Sequence, residues 1–389
     1  MILRNCRLIP ELCEGIRHEF ADIRTDGKTI AEILPAGGTY FGEEIVECSG
    51  FTVLPGLFNT HLHIMWDIQS VKARKSSYSE YDFIINSVRY MHRLVAYGYT
   101  SLRDTGTPYN IAIKLRDNIN NGEIKGPDIK ACGLILCPSQ RGRKATSHSS
   151  SYGMCFNDPY SLRGAARQQL ADGADFLKIL GCSMSVGVRP DMPLFYPDEL
   201  DTLRQVVEYE GTYLSIHCFY ENAIQVAVET GARVIDHACF LTPKNVDAML
   251  ARKERPLISA TYSVCDVWGE ETVRKNCKDL NLALDAGLLV GWGTDVGEDF
   301  FLANPAREFQ LREKFMNVSR VEILKQATIN SAVINQTDDL RGSIKVGKRA
   351  DFAIVDGKPD EDFSCLAKPC EYVFKDGELL ARRGMTLNA

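Results

Sequence analysis

Residues 212–237, TYLSIHCFYENAIQVAVETGARVIDH, hold one complete architectural unit. A short apolar run, TYLSIH (212–217), is followed by a helical pattern, ENAIQVAVET, closed at Gly231 as the residue that ends the helix. A second apolar run, ARVIDH (232–237), comes next. Strand, helix and strand at this spacing make a right-handed crossover between parallel strands. Both runs end in a histidine, His217 and His237.

The pattern repeats on either side. DFLKIL (175–180) precedes the helix PDELDTLRQVVEYEG, which stops at Gly211. TPKNVDAML follows with Thr242 as N-cap and Pro243 at the first helical position. LISATY and GLLVGWGTD (287–295) are the next apolar runs, and Ser319 with Glu322 forms a predicted capping box in SRVEILKQAT. Extended over residues 54–340, the alternation fits eight βα units and a (β/α)8 TIM barrel, an α/β fold, with a doubly wound sheet as the alternative.

The chain ends differ. MILRNCRL, HEFADIRTDGKTIAEIL and EEIVECSGFTVL are short strand-like runs, and Thr25-Asp26-Gly27 predicts a hairpin turn. GSIKVGKRADFAIVD, EYVF and ELLARR read the same way. Residues 1–53 and 341–389 are expected to pair as one small β-sandwich domain beside a barrel of residues 54–340.

Bulk composition narrows the function. The 389 residues carry a net charge of -6, with no basic excess to neutralise phosphates, so no nucleic-acid partner is expected. No apolar run has the length of a membrane span, and the N-terminus lacks the pattern of a secretory signal. Thirteen scattered cysteines without a CxxC pair suit buried thiols in a reducing, cytoplasmic compartment.

Polar residues gather where a barrel carries its chemistry, at the C-terminal strand ends. LPGLFNTHLHI (54–64) places His61 and His63 two apart, on one strand face. His217 and His237 end the fifth and sixth strand candidates, and Asp295 ends the eighth. Lys178 sits between Leu177 and Ile179 in the fourth. A single histidine is ordinarily a hydrogen-bonded core or surface residue, and a buried ammonium costs several kcal/mol unless paired. The joint set supplies nitrogen and oxygen donors in the mix that suits zinc and similar divalent ions.

PGLFNTHLH, FLKI, IHC, IDHA and GTD, in that order, resemble the amidohydrolase superfamily. The branch they resemble holds the imidazolonepropionase-like and prolidase-like metal-dependent hydrolases. GADFLKI, ATINSA and GSIKVGKRADFAIVD extend the resemblance over nearly the whole chain. It implies a binuclear centre of two divalent ions, zinc foremost. His61, His63 and Asp295 would hold one, His217 and His237 the other. Lys178, carboxylated by CO2, would bridge them. It further implies attack by metal-activated water, with Asp295 as the catalytic proton carrier.

Departures mark the substrate pocket. Asn59 stands where many relatives have Asp. CPSQRGRKATSHSSS replaces a Gly-Gly-His loop, and ISATYSV replaces Pro-Thr. His148, Arg141 (with Arg143 and Lys144) and Tyr220 are the candidates for substrate contact, and a basic loop suits a carboxylate. Cys218 is expected to point out of the lumen. Packing is the expected role of Cys182, Cys218 and Cys239; Cys239 shares parity with His237, and the alternative is a place at the mouth, where thiol reagents would reach it.

The expected activity is cleavage of an amide or peptide-like C–N bond in a small-molecule substrate, a dipeptide or N-acyl amino acid. A cyclic-amide hydrolase is the alternative. A deaminase fits less well, because deaminases of this superfamily lack the strand-four lysine. A non-enzymatic scaffold would have lost ligands that this chain keeps. Barrel hydrolases often form symmetric oligomers, so a homo-oligomer is among the expected states.

Overall fold

The computed structural model describes residues 1–66, 79–138, 153–182 and 191–387. Both chain ends enter one nine-stranded sheet. The N-terminal part gives β1 (Ile2–Arg7), β2 (Phe20–Asp26), β3 (Thr29–Pro35), β4 (Ile45–Glu47) and β5 (Phe51–Pro55). The C-terminal part gives β16 (Phe352–Asp356), β17 (Tyr372–Lys375), β18 (Glu378–Arg382) and β19 (Met385–Thr386). The order is β19-β18-β17-β16-β5-β1-β2-β3, with β4 paired to β1. The ends meet where β5 and β16 run antiparallel, from Pro55 opposite Phe352 to Phe51 opposite Asp356. Leu3, Ile23, Val53, Phe352 and Ile354 form the buried core of this sheet.

Two local expectations shift. In the first hairpin Asp26 is the last residue of β2, facing Thr29, and only Gly27 takes a positive φ, 54°. β5 reaches Pro55, beyond the boundary at residue 53, and Gly56 separates it from β6 (Leu57–Leu62).

The middle of the chain forms parallel sheets. β6, β7 (Tyr99–Asp104) and β8 (Asp128–Ala131) make one of three strands. The other has the order β10-β9-β11-β12-β13-β14-β15. Its strands are β9 (Ile135–Cys137), β10 (Gly153–Cys155), β11 (Leu177–Leu180), β12 (Leu214–Cys218), β13 (Val234–His237), β14 (Leu257–Thr261) and β15 (Val290–Gly293). Backbone bonds join the two sheets at both edges: Asp295 N–H donates to His61 O at 2.9 Å, and Asp175 N–H to Ala131 O at 2.8 Å. The arrangement is TIM-barrel-like, with the terminal sheet as an extra domain.

Strand alternation sorts the side chains. Leu177, Ile179, Leu214, Ile216 and Cys218 pack outward into the core shared with the helices Pro197–Glu210 and Glu221–Thr230. Cys218 therefore points out of the lumen, as expected. Phe176, Tyr213, Val234 and Leu257, at the start of four strands, pack with Cys132 and Ile334 in a separate inner cluster. The helices end as the sequence predicts, at Gly211 (φ 69°) and Gly231 (φ 82°). Thr242 and Asn245 complete a capping box. Only half of the predicted capping box forms: Ser319 caps Glu322 N–H, but the Glu322 carboxylate turns to Lys325 at 2.7 Å.

A buried ion pair fastens the last strands. Arg312 Nε donates to Glu308 at 2.7 Å, and its other nitrogens donate to Gly291 O (2.9 Å) and Ala260 O (2.7 Å). Glu308 accepts in turn from Ser263 N–H at 2.7 Å. Among the described residues no helix is long and apolar enough to cross a membrane.

Candidate metal centre

The strand ends bring His61, His63, Lys178, His217, His237 and Asp295 to one place, all of them buried. Asp295 lies at the centre. Its carboxylate oxygens stand 3.7 Å from His61 Nε2, 3.5 Å from His63 Nε2 and 3.9 Å from His237 Nε2. The His237 ring is 4.5 Å from that of His61 and 4.6 Å from that of His217. His61, His237 and Asp295 offer donor atoms that all lie within 4.8 Å of one another.

Alternation on β12 accounts for His217, which shares a face with Ser215 while its neighbours pack outward. On β13 alternation alone would turn His237 away. His237 instead adopts φ 74° and Ala238 φ 53°, a left-handed backbone that costs energy outside glycine. Asp236 and His237 thereby both reach the interior. Asp295, two residues past the end of β15 rather than on it, is also left-handed at φ 52°. Gly293 makes room for this ending, since a Cβ there would lie 2.7 Å from His61 Cβ.

The same turn makes Cys239 the packing residue expected of it and removes the alternative at the mouth. It is fully buried, away from the mouth, in the outer core with Cys265 and Cys277. Parity along a strand does not extend through two left-handed residues.

The electrostatics suit a cation. Burial lowers the His61 imidazole to about 3 against the pull of Asp236. Burial, reinforced by neighbouring imidazoles and Lys178, holds His217 and His237 well below the usual histidine range. All three are neutral donors near pH 7. Burial raises the Asp295 carboxyl well above its usual range, with Lys178 opposing. His217 Nε2, His237 Nε2 and Asp295 Oδ1 are buried without a hydrogen-bond partner. Orphaned buried donors and acceptors are expensive. Divalent ions held by these atoms would satisfy them, so the residues fit a metal.

Two acids that sequence reasoning passed over organise the site. Asp236 is fully buried and meets His61 Nδ1 at 3.0 Å, Ser215 Oγ at 2.5 Å, Arg103 Nη1 at 3.3 Å and the Lys178 ammonium. Burial works to raise its carboxyl, but Lys178, His61 and Arg103 together hold it well below the usual range. Asp104 accepts from Ile64 N–H at 2.9 Å, Gly106 N–H at 3.1 Å and Thr107 Oγ1. It thus fixes the loop whose Gly106 carbonyl meets His63 Nδ1 at 2.8 Å. Burial raises the Asp104 carboxyl to about 6. The sequence signal for Asp104 was an acid ending the strand YTSLRD. Asn59 ties β6 to β15, with its amide donating to Thr294 Oγ1 at 2.7 Å.

The substrate candidates separate. Arg141 and His148 lie outside the described residues, as does the rest of the basic loop. Tyr220 stacks on Phe240, with centroids 4.9 Å apart, against the outer core. Its neighbour Phe219 lies on the imidazoles, 4.7 Å from both His217 and His237.

Known proteins resemble this chain in sequence and in fold. The sequence profile of the amidohydrolase family matches residues 52–380. The chain is 23% identical over 365 residues to a human protein named probable imidazolonepropionase, covering 87% of this chain and 83% of the relative. It is 30% identical over 135 residues to an imidazolonepropionase of Salinispora arenicola, across 34% of this chain and 33% of that one. A crystal structure of a Xaa-Pro dipeptidase with methionine in its active site superposes with a TM-score of 0.85 at 25% identity, over 97% of this chain and 98% of the other. A prolidase complexed with N-methylphosphonate-L-proline superposes equally well, TM-score 0.85 at 23% identity, over 98% of this chain and 99% of the other. The chain belongs to the amidohydrolase family, is similar within it to imidazolonepropionase- and prolidase-named proteins, and is a hydrolase of carbon–nitrogen bonds.

Proposed function

We propose that the chain is a binuclear, zinc-dependent hydrolase of the cytoplasm that cleaves the amide bond of a dipeptide or N-acyl amino acid. The proposed frame is a closed (β/α)8 barrel, residues 54–340, carrying a β-sandwich made of both ends. His61, His63 and Asp295 would hold one ion, His217 and His237 the other, with carboxylated Lys178 between them. The observation that carries the reading is the set of orphaned atoms, His217 Nε2, His237 Nε2 and Asp295 Oδ1.

Bound divalent ions would supply Lewis acidity for a carbonyl and a water of lowered pKa. The protein's part is proton handling and orientation. Asp295, whose carboxylate faces the Nε2 atoms of His61, His63 and His237, is placed to take a proton and pass it to a leaving amine. Asp236 holds the His61 ring through Nδ1, so that Nε2 faces Asp295. Carboxylation would turn Lys178 from cation to anion, and Asp236 would keep Ser215, His61 and Arg103 as donors.

The test is release of free amine from dipeptides, N-acyl amino acids and cyclic amides by protein loaded with zinc and bicarbonate. Amine release that falls by roughly 10²–10⁴-fold in Asp295→Asn supports the reading. Release of ammonia from an amino-substituted ring, with no amide cleaved, would replace it with deamination. A cyclic-amide substrate is the second reading, favoured by the imidazolonepropionase-named relatives that match over most of their length.

A further inference from the structure

The polar floor of the site has apolar walls. On one side Met65, Ile135 and Leu180 form a small buried cluster, with Trp66 and Leu194 packed against it. Met65 and Trp66 follow the end of β6, Ile135 opens β9, Leu180 ends β11, and Leu194 precedes the helix Pro197–Glu210. Leu180 follows Lys178 by two residues and shares its inward face. Ile135 adjoins the histidines: a Cβ at Gly106 would lie 2.6 Å from Ile135 and 3.3 Å from His63 Cε1. The half-buried Trp66 ring stands 5.1 Å from His63. On the other side the half-buried Phe219 ring lies 4.7 Å from His217 and His237. The imidazoles form a row between these aromatics, His63 next to His61 at 5.9 Å and His61 next to His237 at 4.5 Å. Two cations approach the floor among the described residues, Arg103 and Lys178, and both engage Asp236.

A pocket with a few convergent polar groups and apolar walls fixes the reacting group by polarity and selects its neighbour by shape. We infer that this site takes substrates whose group next to the reacting carbonyl is flat and apolar, seated between Phe219 and the wall of Trp66 and Leu180. The inference rests on the proposed metal hydrolase and names its substrate class. Aromatic stacking on Phe219 supplies the preference for a ring over an aliphatic group of equal reach.

The test is binding of two small hydroxamates, benzohydroxamate and acetohydroxamate, to zinc-loaded protein by calorimetry. Both present the same chelating group and differ in the neighbouring ring. The intact protein should favour benzohydroxamate by about tenfold or more, and Phe219→Ala should remove most of that ratio. Trp66→Ala gives the second reading of the ratio should Phe219→Ala fail to fold. Equal affinities in the intact protein, or a ratio untouched by either substitution, would overturn the inference. Amide hydrolysis without acyl preference would overturn it while leaving the proposed function standing. A ring preference without hydrolysis of any amide would do the reverse. Failure of both hydroxamates to bind would remove both together.

Discussion

His61 Nδ1 meets Asp236 Oδ1 at 3.0 Å, and the other oxygen of Asp236 meets Lys178. One buried carboxylate therefore sets the ring of a candidate ligand and holds the lysine proposed to bridge the ions. Outer carboxylates of this kind fix a histidine's tautomer and raise its basicity. Asp236→Asn should lower zinc affinity roughly 10–100-fold in a competition titration with a chelator. In metal-free protein with an unmodified Lys178, Asp236→Ala should in addition destabilise the fold by about 3–5 kcal/mol, because Lys178 and Arg103 lose their buried counter-charge. Unchanged zinc affinity in Asp236→Asn would show that His61 needs no such orientation.

The clamp on the last strands makes a separate prediction. Arg312→Met leaves Glu308 buried and uncompensated, and frees the carbonyls of Gly291 and Ala260. The expected loss is about 3–5 kcal/mol by urea unfolding. Arg312→Met with Glu308→Gln should recover part of that loss. Equal stability of the single and double variants would rule out the unpaired charge as the cause.

The terminal sheet should show its closure in acid. Glu14 accepts from Ser343 Oγ at 2.6 Å and pairs with Lys345 at 2.5 Å and Lys348 at 2.9 Å. Lys345 first, then Ser343, hold its carboxyl down at about 2, against burial. A depressed carboxyl contributes stability above its unfolded value, and that contribution is lost as pH falls toward the folded value. Glu14 is 41% exposed, so solvent screening limits the effect to about 1 kcal/mol or less. The stability gap between the protein and Glu14→Gln should be constant near neutrality and close between about pH 4.5 and 2. A gap that persists at the acid end would contradict this.

Thiol chemistry should follow burial. Among the described residues Cys13 and Cys365 are the partly exposed cysteines, and Cys239, Cys265 and Cys277 are buried. Burial raises Cys13 to about 12 and Cys365 to about 11, so both should alkylate slowly at neutral pH. Peptide mapping after native alkylation should find label at these two before Cys239. Rapid labelling of Cys239 in folded protein would place it at the mouth after all.

Much of this architecture was legible because it follows from local rules. Gly211 and Gly231 end helices where only a left-handed residue fits, and Lys178 stood out because apolar neighbours make an ammonium costly. His217 faces inward by simple alternation. Asp236 was hidden for the opposite reason: alternation puts it and His237 on different faces, and the left-handed backbone at His237 brings both inside. The same bend sent Cys239 into the outer core. Phe219 escaped notice because an aromatic beside a histidine ordinarily signals core packing, and its place over two imidazoles depends on how β12 and β13 end.

The central claim is tested most directly by metal content per chain, on protein purified with zinc and bicarbonate, together with a ¹³C spectrum after ¹³C-bicarbonate labelling. A binuclear centre gives two ions per chain and a carbamate signal that disappears in Lys178→Ala. One ion with a free Lys178 amine would contradict the binuclear centre, and no bound ion at all would contradict the metal site itself.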